Sequence, residues 1–107
     1  FHCAMEGHKI DGITRNDKVS YCVIDQDQII PEKFTTYYRS AIVFGRARIL
    51  TDEGKKRRAL ESLIAKFSPD YPVEGQQELE RDLHRTCIIE VTIEHLTGKA
   101  AKELVNQ

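Results

Sequence analysis

Thr35-Thr36-Tyr37-Tyr38-Arg39-Ser40-Ala41-Ile42-Val43-Phe44-Gly45-Arg46-Ala47-Arg48-Ile49-Leu50 is the longest stretch of the chain with strand character. Gly45 interrupts it, and a glycine inside a strand pattern marks a bulge or the close approach of another backbone. Long strands broken in this way are common where a sheet curls toward a barrel, so the stretch decides what the neighbouring segments must be. Upstream, Val19 to Ile24 reads as a second strand, with Val19, Tyr21 and Val23 on one face and Ser20, Cys22 and Ile24 on the other. Asp25 to Lys33 between them is polar and carries Pro31, which predicts a loop or an irregular edge.

Further upstream, Asn16-Asp17 is turn chemistry, and His8 to Ile13 predicts one or two helical turns with Ile10 and Ile13 three residues apart. Gly7 separates that turn from Phe1-His2-Cys3-Ala4, which reads as the end of a strand. Downstream of the long strand, Thr51 is the expected helix cap, with Asp52 and Glu53 in the first turn, where carboxylates favour the positive end of the helix. Leu60, Leu63, Ile64 and Phe67 then form an apolar stripe, and Ser68-Pro69 stops the helix. Tyr71 to Gly75 reads as loop, and Gln76 to Arg85 as a second, more polar helix carrying Leu79 and Leu83. Thr86 to Ile93 returns to strand alternation, and Leu96 to Val105 is expected to turn at Gly98 and finish in a short helix.

The fold class is therefore α+β, in the order β, α, β, β, α, α, β, α. Four strands fall short of closing even a small barrel. Together with an opening Phe1 in place of an initiator methionine, this predicts further strands ahead of Phe1, or a sheet completed by a partner. A length of 107 residues suits one domain spanning 1–107. With 40% hydrophobic and 31% charged residues, collagen-like, low-complexity and disordered classes are excluded. Sixteen basic against seventeen acidic residues give a formal net charge of −1, so no global field draws the chain to nucleic acid or to an anionic membrane. No apolar run approaches the roughly 18 residues of a membrane span, and none reads as a signal peptide. Three cysteines without a CxxC spacing predict no disulfide framework and a reducing, cytoplasmic setting.

Few residue groups carry chemistry on their own. His2, Cys3 and His8 are ligand types that suit zinc, but their spacing matches no standard arrangement, and His84 and Cys87 lie far away; no metal site is expected. Cys22 and Cys87 alternate with apolar strand residues and read as small buried hydrophobes. Lys55-Lys56-Arg57-Arg58 lacks the aromatic or further basic neighbours of a nucleic-acid patch and reads as the solvated face of its helix. Gly7-His8-Lys9 is more informative. It follows a strand end and opens a helical turn, so backbone N–H groups and an ammonium can converge on one anion such as a phosphate. A plain exposed turn can carry the same residues.

Phe1-His2-Cys3-Ala4, then Gly7-His8-Lys9, Asp11, Ile13 and Asn16 ahead of the strand at Val19, resembles the flavin-binding region of the pyridoxamine 5′-phosphate oxidase-like superfamily. Within it, the similarity is greatest to the flavin-nucleotide-binding branch that contains the 5-nitroimidazole-resistance proteins. Ile30-Pro31-Glu32-Lys33-Phe34-Thr35-Thr36-Tyr37-Tyr38-Arg39-Ser40 before Ile42-Val43-Phe44-Gly45 resembles that family's central strand. The helix ending Phe67-Ser68-Pro69 and the closing Ile93-Glu94-His95-Leu96-Thr97-Gly98-Lys99-Ala100 agree as well, so the likeness runs along essentially the whole chain.

The resemblance implies a split β-barrel, largely antiparallel with short flanking helices, that binds FMN at a homodimer interface. It also implies that barrel strands preceding Phe1 supply part of the flavin site. By the same resemblance Lys9 binds the FMN phosphate, and His8 stands where relatives often carry an arginine for the same group. Imidazole is the weaker partner of the two, being largely uncharged at neutral pH. His2, Cys3 and Ala4 border the flavin, with His2 nearest the ring and the one candidate acid or base, while Ser40 reaches the phosphate from a neighbouring strand. The implied function is a flavin-dependent oxidoreductase acting on a small molecule, with nitroaromatic reduction in view. The alternative is a non-catalytic flavin-nucleotide or haem module, with His2, His84 or His95 as axial ligand, and a deazaflavin suits the same barrel. A structural dimer with a vestigial site is a third reading. The oxidase reaction itself is disfavoured, because the tail lacks that enzyme's substrate-binding signature.

Overall fold

A computed structural model describes residues 1–105. Its elements follow the expected order: β1 (His2–Ala4), α1 (His8–Arg15), β2 (Lys18–Ile30), β3 (Thr35–Ile49), α2 (Glu53–Phe67), α3 (Pro72–Asp82), β4 (Thr86–Ala100) and α4 (Lys102–Val105), with single 3₁₀ turns at Pro31–Lys33 and Leu83–Arg85. The strands form one sheet in the order β1-β4-β3-β2, in which β1 runs antiparallel to β4 and β2 antiparallel to β3. The chain divides into two compact units, one of Phe1–Asp17 with Ala47–Glu90 and the other of Lys18–Arg46 with the chain from Val91 onward.

The first unit holds most of the buried apolar side chains: Ala47, Leu50, Leu79, Leu83, Cys87, Ile88 and Ile89. The start of β4 supplies three of these in succession, as expected of a strand covered on both faces. Helix α2 begins one residue later than Thr51 would place it. Asp52 is the cap, extended at φ −72°, ψ 118°, with Oδ2 accepting from the Lys55 amide at 2.8 Å. A carboxylate there satisfies an orphan amide and also faces the positive helix end, an advantage a threonine hydroxyl lacks. Asp52→Ala is expected to cost about 1 kcal/mol and to lower the thermal midpoint by roughly 4–8 °C, whereas Asp52→Asn should keep most of the stability, because an amide oxygen can accept the same bond. Thermal circular dichroism of the two variants checks this.

Helix α3 corrects the expected loop at Tyr71–Gly75. It starts at Pro72, whose missing N–H costs nothing in a first turn and whose ring presets a helical φ. Gly75 is then on the helix and lets α3 approach α2 closely: a Cβ at that position would come within 2.5 Å of Ile64 Cγ2. Across the same pair of helices the Arg57 guanidinium donates to the Glu80 carboxylate, and Lys56 Nζ donates to the Leu83 carbonyl at 3.3 Å. Two of the four basic residues in the run are therefore tied to the neighbouring helix rather than simply solvated.

In the second unit β2 overturns the expected loop over Asp25–Lys33. The strand continues to Ile30 because β3 extends far enough to pair with it throughout, from Lys18↔Arg46 to Ile30↔Thr35. Asp25 is accommodated as a bulge between Ile24↔Ser40 and Gln26↔Arg39. Pro31 lies just past the last paired residue, where its missing donor is harmless. Phe34 closes the hairpin in the left-handed region, at φ 52° and almost fully exposed. The close approach predicted at Gly45 is present: a Cβ there would overlap the Thr92 carbonyl oxygen. Strand β4 runs on to Ala100, so Gly98 lies inside it rather than at a turn. Helix α4 follows, with the Ala101 amide donating to the Tyr38 carbonyl at 2.9 Å and Leu104 buried.

Candidate functional site

Strand β1 is only three residues long, and its ladder on β4 pairs His2↔Ile88, Cys3↔Cys87 and Ala4↔Thr86. His2 and Ala4 are exposed, while Cys3 is half-buried against the first-unit core. The chain then passes Gly7, whose φ of 143° is open to glycine and strained for any other residue, into α1. No side chain caps α1, and its first internal bond is from the Asp11 amide to the Gly7 carbonyl at 3.0 Å. The amides of His8, Lys9 and Ile10 thus point out of the helix start without a side-chain acceptor. The His8 and Lys9 side chains are both exposed on this turn. Amide donors, the positive helix end and an ammonium together suit a phosphate dianion.

A cavity of about 820 Å³ opens in the same unit. Leu60, Leu63 and Ile64 of α2 line it together with Leu79, Leu83 and the β1 residue His2. The apolar stripe recognised on α2 thus faces this space, and none of its side chains is fully buried. Glu78 and Asp82 border the cavity too, but each carboxylate is neutralised by a nearby arginine, Arg81 for Glu78 and Arg85 for Asp82. The Arg85 hydrogen bond, reinforced by Arg81, holds Asp82 below the ordinary carboxylate range. A volume of this size accommodates a small organic molecule.

Ser40 lies in the second unit, half-buried on β3 opposite Ile24 of β2. The same face carries Cys22↔Ile42 and Ser20↔Phe44, and Ile24, Ile42 and Phe44 are 61%, 41% and 50% exposed. Cys22 is exposed as well, which corrects its reading as a buried hydrophobe; Cys87 is buried as expected. Phe44 stands 6.3 Å from the His95 ring. The structure therefore gathers His2, Cys3, Ala4, His8 and Lys9 in the first unit and sets Ser40 on an exposed apolar sheet face in the second. Sequence reading missed that apolar face and the facing of Cys3 on Cys87. Alternation shows which residues share a face of one strand, but not which strand lies beside it. Among the described residues no group of three or more ligand-type side chains is placed to hold a metal ion. Nor, among the described residues, is any helix long and apolar enough to cross a membrane.

A family model described as pyridoxamine 5′-phosphate oxidase matches residues 1–100. The chain belongs to the pyridoxamine 5′-phosphate oxidase family. Solved structures carry the same fold, the family's split barrel. A candidate 5-nitroimidazole antibiotic resistance protein from Bacteroides thetaiotaomicron VPI-5482 matches with a TM-score of 0.69 at 21% identity, over 92% of this chain and 58% of that one. Conserved hypothetical protein Rv2991 from Mycobacterium tuberculosis matches with a TM-score of 0.78 at 14% identity, over 97% and 61% of the two chains. The flavocytochrome Anf3 from Azotobacter vinelandii matches with a TM-score of 0.67 at 19% identity, over 94% and 49%. This member of the family thus spans between 49% and 61% of the length of these solved chains. None of the curated proteins matches it.

Proposed function

We propose that this member of the family binds FMN and serves as a flavin-dependent oxidoreductase for a small molecule, working as a cytoplasmic homodimer with the cofactor at the interface. The observation that carries the reading is the uncapped start of α1, where three open amides and the exposed Lys9 and His8 side chains occupy one turn. Their donor chemistry fits the phosphate end of a flavin nucleotide, with Lys9 as the charged anchor and His8 as a second donor. His2, Cys3 and Ala4 on the adjoining strand would border the ring. When bound, the flavin supplies the redox chemistry, and the protein supplies anchoring, orientation and a shaped space for the acceptor. His2 borders the apolar cavity, which supports a role for it in holding or delivering a proton to a small acceptor. The exposed Ile24, Ile42 and Phe44 face favours association with a second copy. The Bacteroides neighbour's description makes a 5-nitroimidazole the first acceptor to assay.

The test is the absorption spectrum of the purified chain before and after addition of FMN, followed by heat release of the chromophore. The expected result is the twin flavin bands and a released molecule of FMN mass. A Soret band would replace the reading with the haem alternative. A chain that stays colourless with added FMN would overturn it.

A further inference from the structure

Two of the three cysteines, 84 positions apart in sequence, face each other across the β1–β4 ladder, with Cys3 directly opposite Cys87. The type of pair follows from the ladder itself. Phe1 and Ile89 exchange both backbone bonds, the Phe1 nitrogen donating to Ile89 O at 2.9 Å and the Ile89 amide to Phe1 O at 2.8 Å. Pairs alternate along an antiparallel ladder, so Cys3↔Cys87, two positions on, is again of the hydrogen-bonded kind, with Cα atoms about 5.5 Å apart. That lies inside the range of roughly 4.4–6.8 Å over which a disulfide can form. Directly opposite residues also project from the same face of the sheet. The Cα spacing and the shared face are met, and the two thiols are near enough to hydrogen-bond. The Cβ atoms of a hydrogen-bonded pair lie toward about 5.5 Å, so closing the bond draws β1 about 1 Å closer to β4.

We propose that Cys3 and Cys87 form a reversible dithiol–disulfide couple that fastens the short edge strand β1 to β4 under oxidising conditions. The two thiols differ in access: Cys87 is 1% exposed and Cys3 is half-exposed. Desolvation pushes the Cys87 thiol up, and the neighbouring Cys3 adds to the effect. Cys3 is therefore the entry point and Cys87 the resolving group. With a glutathione-type disulfide as oxidant, the Cys3 thiolate attacks one oxidant sulfur, forming a mixed disulfide and releasing one thiolate. Cys87 then gives up its proton and attacks the Cys3 sulfur, expelling the second thiolate, which takes up a proton. Two protein thiols are oxidised and one small disulfide is reduced to two thiols. Excess reduced glutathione runs the sequence backward. Cys22, in the other unit and exposed, has no part in the couple.

The experiment is equilibration of the folded chain in glutathione buffers of graded redox poise, followed by acid quench, alkylation, trypsin digestion and mass spectrometry. Cleavage after Lys9, Lys18, Lys33, Arg85 and Lys99 separates the three cysteines into Phe1–Lys9, Val19–Lys33 and Thr86–Lys99. The expected product in oxidising buffer is a linked Phe1–Lys9/Thr86–Lys99 peptide from an intact chain that has lost two hydrogens, restored in reducing buffer. Cys22→Ser should leave that result unchanged, and Cys87→Ala should stop at a stable glutathione adduct on Cys3. A stable adduct on Cys3 of the unaltered chain, or a linkage found only between two chains, would overturn the proposal. So would three alkylated thiols in the most oxidising buffer. The unaltered chain and Cys22→Ser decide the matter even if Cys87→Ala fails to fold.

Discussion

Gly45→Ala is expected to destabilise the protein by about 3 kcal/mol or more, lowering the thermal midpoint by roughly 10–20 °C, or to prevent folding outright. The added methyl would overlap the Thr92 carbonyl oxygen and lie 3.1 Å from its carbon and 3.2 Å from Val91 Cγ1. A long side chain in the way could swing aside at little cost, but a strand carbonyl is fixed by its ladder, so β3 and β4 would have to separate locally. Gly45 is also buried between Val43 and Ala47 on the same face of β3, which leaves the methyl no alternative direction. Gly12→Ala in α1 is the control, since a Cβ there meets nothing within 4 Å. It should be neutral or stabilising by up to about 1 kcal/mol, because alanine loses less chain entropy in a helix. A Gly45→Ala protein melting within a few degrees of the unaltered one would show that the two backbones are not in such close contact.

Lys9→Ala carries the largest expected effect on function: FMN affinity should fall roughly 10- to 100-fold. A charge-assisted hydrogen bond to a phosphate contributes about 1.5–3 kcal/mol net, and each 1.4 kcal/mol is a factor of ten. Lys9 is exposed and one residue into α1, where alanine is a good helix former, so the melting temperature of the flavin-free protein should hardly move. That separation of binding from stability is the diagnostic feature, read by fluorescence titration with FMN beside thermal circular dichroism. His8→Ala should lose less, because an imidazole carries less positive charge at neutral pH than an ammonium. Unchanged FMN affinity in Lys9→Ala would remove the phosphate assignment while leaving the fold untouched.

The order of elements was legible because each strand or helix carried its own periodicity, and α2 in particular combined an acidic first turn, an apolar stripe and a Ser-Pro stop. The misread boundaries have two physical causes: a residue whose local signal admits a second reading, and a local signal overruled by a neighbouring strand. Tyr71 to Gly75 reads as loop, but Pro72 begins α3, since proline is tolerated in a first turn and excluded only from later ones. The polar run after Ile24 looked like a loop but pairs along its length with β3. The anion turn at Gly7-His8-Lys9 could be read from sequence because everything it needs is contiguous. The Cys3–Cys87 facing and the cavity of the first unit could not, since both are made by residues that only the fold brings together.

The bulge at Asp25 has a consequence for how this chain should be compared with others of different length. Before it, even-numbered residues of β2 share a face with Ser40, Ile42 and Phe44; after it, Gln26, Gln28 and Ile30 sit opposite Arg39, Tyr37 and Thr35 on the other face. Loss of Asp25 alone would bring Ile24↔Ser40 and Gln26↔Arg39 into unbroken succession with every remaining side chain on its present side. Loss of any other single residue between Lys18 and Ile24 would turn part of the strand inside out. A one-residue gap in β2, when this hairpin is set beside a shorter one, therefore belongs at Asp25, where the ladder can lose a residue without changing what either face presents.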